Sequence, residues 1–137
     1  MSAVTKKAIY SKLSGDNTLK GLLGKDEGNN PAIFNSQFNK LESASLPCVC
    51  FRESDGSADG RFQSETVDQE IWDIEIWAST ESGLTVPNIH KEVDRLLHNA
   101  TLTLESGTHY DCMRMAANPD LYDTKLNLAF GLYRYRL

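Results

Sequence analysis

Two stretches joined by a short connection decide the fold: Ile71-Trp-Asp-Ile-Glu-Ile-Trp-Ala78 and Thr85-Val-Pro-Asn-Ile-His-Lys-Glu-Val-Asp-Arg-Leu-Leu97. In the first, Trp72, Ile74, Ile76 and Ala78 alternate with Asp73 and Glu75, which Ile71 and Trp77 bracket. A period of two sends these sets to opposite faces of an extended chain, and it predicts a strand over 66–78 with one face on a core. In the second, Val86, Ile89, Val93, Leu96 and Leu97 recur at the spacing of one helix face, with Lys91, Glu92 and Arg95 outside. Thr85 is placed to cap this helix. Pro87 falls in the first turn, where a missing N–H costs little, and the helix is expected to end near Asn99.

Working outward from there, Leu46-Pro47 opens an earlier strand. Cys48, Val49, Cys50 and Phe51 form a continuous apolar run, as in a strand buried on both faces, before Arg52 and Glu53 leave the core. The connection Ser54-Asp-Gly-Ser-Ala-Asp-Gly60 is rich in turn residues, so the two strands read as a long hairpin. Nearer the N-terminus, residues 2–14 read as a short helix with Ile9, Tyr10 and Leu13 inward and Lys6, Lys7 and Lys12 outward, ended by Gly15. Asp16 or Asn17 can cap a further turn carrying Leu19, Leu22 and Leu23. Residues 25–31 are a loop, and 32–34 a brief extended piece.

Beyond the central helix, His109 to Ala117 is extended in character and Asn118-Pro119-Asp120 is expected to turn the chain. From Lys125 to Leu137 alternation returns. Leu126, Leu128, Phe130 and Leu132 share one face, taken as the core face; Tyr133 and Tyr135 lie opposite. The expected order is helix, strand, strand, helix, strand, strand. That is an α+β domain: a mostly antiparallel four-stranded sheet with two helices packed on one face.

The 137 residues fit one domain, 1–137. A hydrophobic fraction of 40% with 24% charged residues is an ordinary globular mix and argues against wholesale disorder. Lys and Arg number 14 against 19 Asp and Glu, a net charge of −5, which disfavours a dedicated nucleic-acid binder. No apolar run reaches the ~18–20 residues of a membrane span. The Lys6-Lys7 pair has no apolar stretch behind it, as a secretory signal would. Three cysteines, an odd number, fit reduced thiols and assembly in a cytoplasm better than a disulfide framework.

Few constellations offer chemistry. His90, Asp94 and His98 lie at i, i+4, i+8 along one helix flank, a spacing compatible with a metal site in a small ligand-binding domain. A solvated flank explains them more simply, with Asp94 and His98 near solvent. Cys48-x-Cys50 lacks the two-residue spacer of zinc knuckles, so its thiols read as small hydrophobes. Asp73 with Glu75 and Asp68 with Glu70 are carboxylate pairs on a strand, without a sign of an apolar pocket to shift one of them. No nucleophile elbow, phosphate loop or dinucleotide fingerprint is present. The expectation is a protein without catalytic residues, cofactor or metal. Ile71, Trp77, Tyr133 and Tyr135 are candidates for a subunit interface; a second covering layer or scattered surface aromatics would account for them equally.

Several strings resemble the tail terminator, or tail completion, proteins of long-tailed bacteriophages: Ala8-Ile-Tyr-Ser-Lys-Leu13 with Leu19 to Leu23 and Ala32-Ile-Phe34, then Leu46-Pro-Cys-Val-Cys-Phe51, Ile74-Glu-Ile-Trp-Ala78, Val86 to Leu97, and the alternation from Leu126. The resemblance spans nearly the whole chain and lies in element order and short strings. It implies a virion protein of the tail or neck, assembled in the host cytoplasm. Copies would form a ring, commonly a hexamer, that caps the tail tube protein, ends its polymerisation and presents a surface to the head–tail connector protein. DNA would pass through without sequence-specific binding, and an acidic balance suits a lumen in which phosphates slide. By position, the connection after the first long strand is the candidate tube or connector contact, with Arg52, Asp55, Asp59, Arg61 and Phe62. Another head–tail joining protein is the nearest alternative.

Overall fold

A computed structural model describes residues 2–25, 29–35, 46–54, 71–79, 84–103, 109–124 and 128–136. The elements run α1 (Ser2–Ser14), α2 (Asn17–Leu22), β1 (Ile33–Phe34), β2 (Cys48–Glu53), β3 (Ile71–Ser79), α3 (Thr85–Leu97), β4 (Ala100–Thr103), β5 (His109–Asp123) and β6 (Leu128–Arg136). The six strands form one sheet in the order β1-β2-β3-β6-β5-β4. β1 runs parallel to β2, and every other neighbouring pair is antiparallel.

The α+β class is as expected, but four strands become six and two helices become three. The added strands are the two edges, with two and four residues. The first coincides with the brief extended piece expected at 32–34, but pieces that short carry too little alternation to be joined to a sheet from sequence. β5 is also longer than expected. Its pairing with β6 continues through Asn118-Pro119-Asp120, with register shifts between Arg114 and Ala116 and between Asn118 and Leu121. A bulge admits a proline into a ladder because the extra residue need not donate a bond.

The helices cover one face of the sheet. Val49 and Phe51 of β2, Trp72, Ile74, Ile76 and Ala78 of β3, and Tyr133 and Tyr135 of β6 join the buried α3 stripe, with Ile9, Leu13 and Leu19. All five residues of the expected α3 stripe are buried. On α1 the inward row is Thr5, Ile9 and Leu13, whereas Tyr10 is exposed. Asp16 caps α2, its carboxylate accepting the Leu19 N–H at 2.9 Å. The start of α3 differs from expectation. Thr85 is its first helical residue, and Leu84 stands at the cap position without a side-chain bond. Asn99, at φ 61°, takes the left-handed conformation just past the helix end, which asparagine tolerates.

Candidate functional site

Strand register places side chains on the second face of the sheet, away from the helices, in rows. Cys48, Trp77 and Phe130 share one row, and Cys50, Glu75 and Leu132 the next. Arg52, Asp73 and Arg134 follow, and Arg136 lies beyond, opposite Ile71. One end of this face is therefore apolar and the other basic.

At the apolar end, Ala32, Cys48, Cys50 and Trp77 are buried, with Phe34, Leu46, Leu128 and Phe130 partly buried against them. Trp77 stacks on Phe130 with ring centroids 4.2 Å apart and planes 12° from parallel. At the basic end the buried Asp73 carboxylate accepts from Arg134, at 2.8 Å from Nε and 3.4 Å from Nη2. That hydrogen bond and the adjacent charge raise the Arg134 guanidinium above its already high value. Arg52 is half-buried, and its Nε is buried without a hydrogen-bond partner among the described residues.

A second polar cluster lies between α3 and the sheet. His90 stacks flat on Tyr133, centroids 3.6 Å apart and planes within 6°. The Tyr135 hydroxyl donates to Asp94 Oδ1 at 2.9 Å and sits 3.3 Å from His90 Nε2. Arg114 Nη1 reaches Asp94 Oδ2 at 2.8 Å, and the Arg114 backbone N–H donates to His98 Nδ1 at 3.1 Å. Burial lowers the His90 pKa, Asp94 acting against that shift and Arg114 with it. Burial likewise pushes the Cys112 thiol up to about 12, and it raises the Tyr135 hydroxyl, helped by its bond to Asp94.

These contacts revise the expectations residue by residue. His90, Asp94 and His98 are half-buried, Asp94 and His98 near solvent as expected, and they also join α3 to β5 and β6 through Arg114 and Tyr135. No group of three potential metal ligands occurs among the described residues. Tyr133 and Tyr135 are 0% and 1% exposed, so their expected place at a subunit interface is corrected: they lie beneath their own helix. The alternation of β6 was legible, but its core side was assigned to the wrong set. The polar helix flank gives the Tyr135 hydroxyl a partner, so tyrosine faces inward, and Leu128, Phe130 and Leu132 are left half-buried on the second face. Ile71 is half-buried at the start of β3, and Trp77 is buried on the second face. Asp55, Asp59, Arg61 and Phe62 lie outside the described residues.

Sequence reasoning missed the arginine rows. The signal was available in Tyr133-Arg-Tyr-Arg136, where alternate arginines must share a face, opposite the tyrosines. It also missed the exposed side chains along β5, where Met113, Met115 and Tyr122 are 44%, 49% and 51% exposed. At the far end of the sheet, a groove of about 430 Å³ is lined by Leu22, Leu46, Pro47, Thr85 and Asn88 among others. Among the described residues its lining holds no titratable side chain.

Residues 7–137 match the family model described as Tail completion protein gp17. A chain from the virion of a native gene transfer agent (GTA) particle shares the fold with a TM-score of 0.68 at 17% identity, over 98% of this chain and 93% of that one. No curated protein matches the sequence.

Proposed function

Because the chain belongs to the Tail completion protein gp17 family, we propose that its copies close into a ring that caps a phage tail tube, ends tube growth and offers the head connector its docking surface. The match over residues 7–137 carries this proposal and makes the chain a phage tail structural protein. Six copies is the number the resemblance implies.

The fold supports an assembling subunit. Helices occupy one face of the sheet, while the second face presents half-buried Ile71, Leu128, Phe130 and Leu132 beside arginines. Apolar centres with arginine at the rim are the composition of protein contacts. Trp77 backs this surface through its stack on Phe130. The connection after β2 is the tube or connector contact, with Arg61 and Phe62 near its middle and Arg52, Asp55 and Asp59 on its approach. The protein is not an enzyme in this proposal: His90, Asp94 and His98 are engaged in packing rather than gathered on a cleft. DNA passes through the ring without being read.

The test is deletion of the gene in its phage or prophage. Abnormally long or headless tails are expected in electron micrographs. Tails of normal length carrying heads would refute the assignment.

A further inference from the structure

The second face carries its positive charge at one end. Arg134 and Arg136 are alternate residues of β6, so their side chains leave the same side of the sheet from points about 7 Å apart. Arg52 enters the Arg134 row from β2, two strands away, or about 10 Å. One acid, Asp73, stands between Arg52 and Arg134, and Arg134 engages it through two hydrogen bonds. Glu75, in the next row, accepts from the Trp77 indole at 3.4 Å, towards the apolar end. Among the described residues, the polar contact of the Arg136 side chain is to the Met113 sulfur at 4.0 Å, and sulfur is a weak acceptor. Arg52 Nε has no acceptor there either. Three guanidinium groups thus meet one carboxylate, leaving a net +2 at this end.

Arginine recognises carboxylates and phosphates alike, through its planar fork of donors. The arrangement here favours phosphate. An acidic protein must bring its carboxylates to three fixed points on the sheet. A duplex carries a charge every ~1.7 Å along its axis, so phosphates meet these points wherever the duplex stands. The rows of Phe130 and Leu132 that suit contacts between copies lie beside the arginines, not under them, so both surfaces can be used at once. The whole chain is at −5, so no overall field holds DNA, and the contact is local and weak.

We propose that Arg52, Arg134 and Arg136 form a phosphate-contact surface for the duplex DNA that passes through the ring. It rests on the ring proposal above, which brings a duplex to this face. Phosphate contacts carry no sequence information, so the DNA is touched without being read. Asp73 has two effects: it holds Arg134 in place and offsets one of the three charges. The surface therefore steadies the duplex and still releases it.

The test measures binding of the full-length protein to a fluorescent duplex of arbitrary sequence, by anisotropy across a salt series. Wild type should bind with a Kd of about 1–100 µM, equally for unrelated sequences, and more weakly as salt rises. Arg136→Glu is the main variant, because Arg136 is exposed and its loss strands no buried acid. It should weaken binding severalfold and lower the slope of log K against log salt by about 1, with an unchanged circular dichroism spectrum. Lys91→Glu makes a similar reversal on the outer face of α3, where Lys91 is exposed, and should bind as wild type does. An equal loss in both variants would trace binding to overall charge and overturn the proposal. Tighter binding of poly-glutamate than of the duplex would assign the arginines to an acidic protein and overturn it too. Absence of duplex binding by wild type at low salt overturns it while leaving the ring intact, because the ring is judged separately by the tails that form when the gene is deleted.

Discussion

Replacing Tyr135 by phenylalanine removes a single oxygen from the seam between α3 and the sheet. That hydroxyl donates to Asp94 at 2.9 Å from a residue only 1% exposed. A hydrogen bond to a charged group contributes about 1.5–3 kcal/mol. Asp94 keeps its Arg114 contact at 2.8 Å, and its side chain, 23% exposed, can recruit water. The loss should therefore sit low in that range, at about 2 kcal/mol, or nearly thirtyfold in the unfolding equilibrium. Urea unfolding followed by the fluorescence of the buried Trp72 and Trp77 reads it as a midpoint shift of roughly 1 M. Protomer concentration must be held fixed, because association stabilises the folded form. The same change in an Asp94→Asn background isolates the charge, since the amide oxygen still accepts a bond. There the cost should fall to about 1 kcal/mol. A loss below about 0.5 kcal/mol, or an equal loss in both backgrounds, would refute the view that this bond turns the tyrosine face inward.

Gly131 lies under the same seam, and a Cβ there would come within 2.5 Å of the Tyr133 hydroxyl. Gly131→Ala should thus displace Tyr133 from His90 and cost about 1–3 kcal/mol; a thermal melt like that of wild type would contradict it. The lowered His90 pKa means the folded state resists a proton that the unfolded chain accepts near 6.5. Stability should fall as pH drops below that value, with a smaller fall in His90→Gln, measured by urea midpoints between pH 7 and 5. The Leu19 N–H, then Arg95, hold the Asp16 carboxyl below 3.8, so its contribution is full above that pH and lost on further acidification. Asp16→Ala should cost about 1 kcal/mol at neutral pH, and the difference from wild type should narrow as the pH falls below 3.8.

Local periodicity carries far in this chain, because each period is a property of one element. The strand Ile71–Ser79 and the helix Thr85–Leu97 were legible because nine to thirteen residues repeat a spacing that only one backbone geometry satisfies. A cap at Asp16 or Asn17 was legible because a polar side chain just before an apolar turn can satisfy an orphan N–H, and the folded chain uses Asp16. The extended piece at 32–34 was legible where β1 falls, but the places of β1 and β4 at the sheet edges were not, being too short to carry a full pattern, and neither was β5's passage through Pro119, which depends on a bulge opposite β6. The family resemblance was legible for a related reason: it lies in the order of elements, which their periods reveal.

Periodicity divides a strand into two faces without saying which one is covered. In β6, hydropathy alone favours burying Leu128, Phe130 and Leu132. The chain buries Tyr133 and Tyr135 instead, because α3 presents His90 and Asp94 to them at a seam that only the folded chain creates. The same choice turns Arg134 and Arg136 outward, into line with Arg52 and Asp73 from strands far away in sequence. The sequence by itself determined the elements, their order and the alternation within each. Only the folded chain settles which side of the sheet lies under the helices and which keeps half-buried apolar side chains beside arginines, because that depends on partners brought together across 41 and 61 residues of chain.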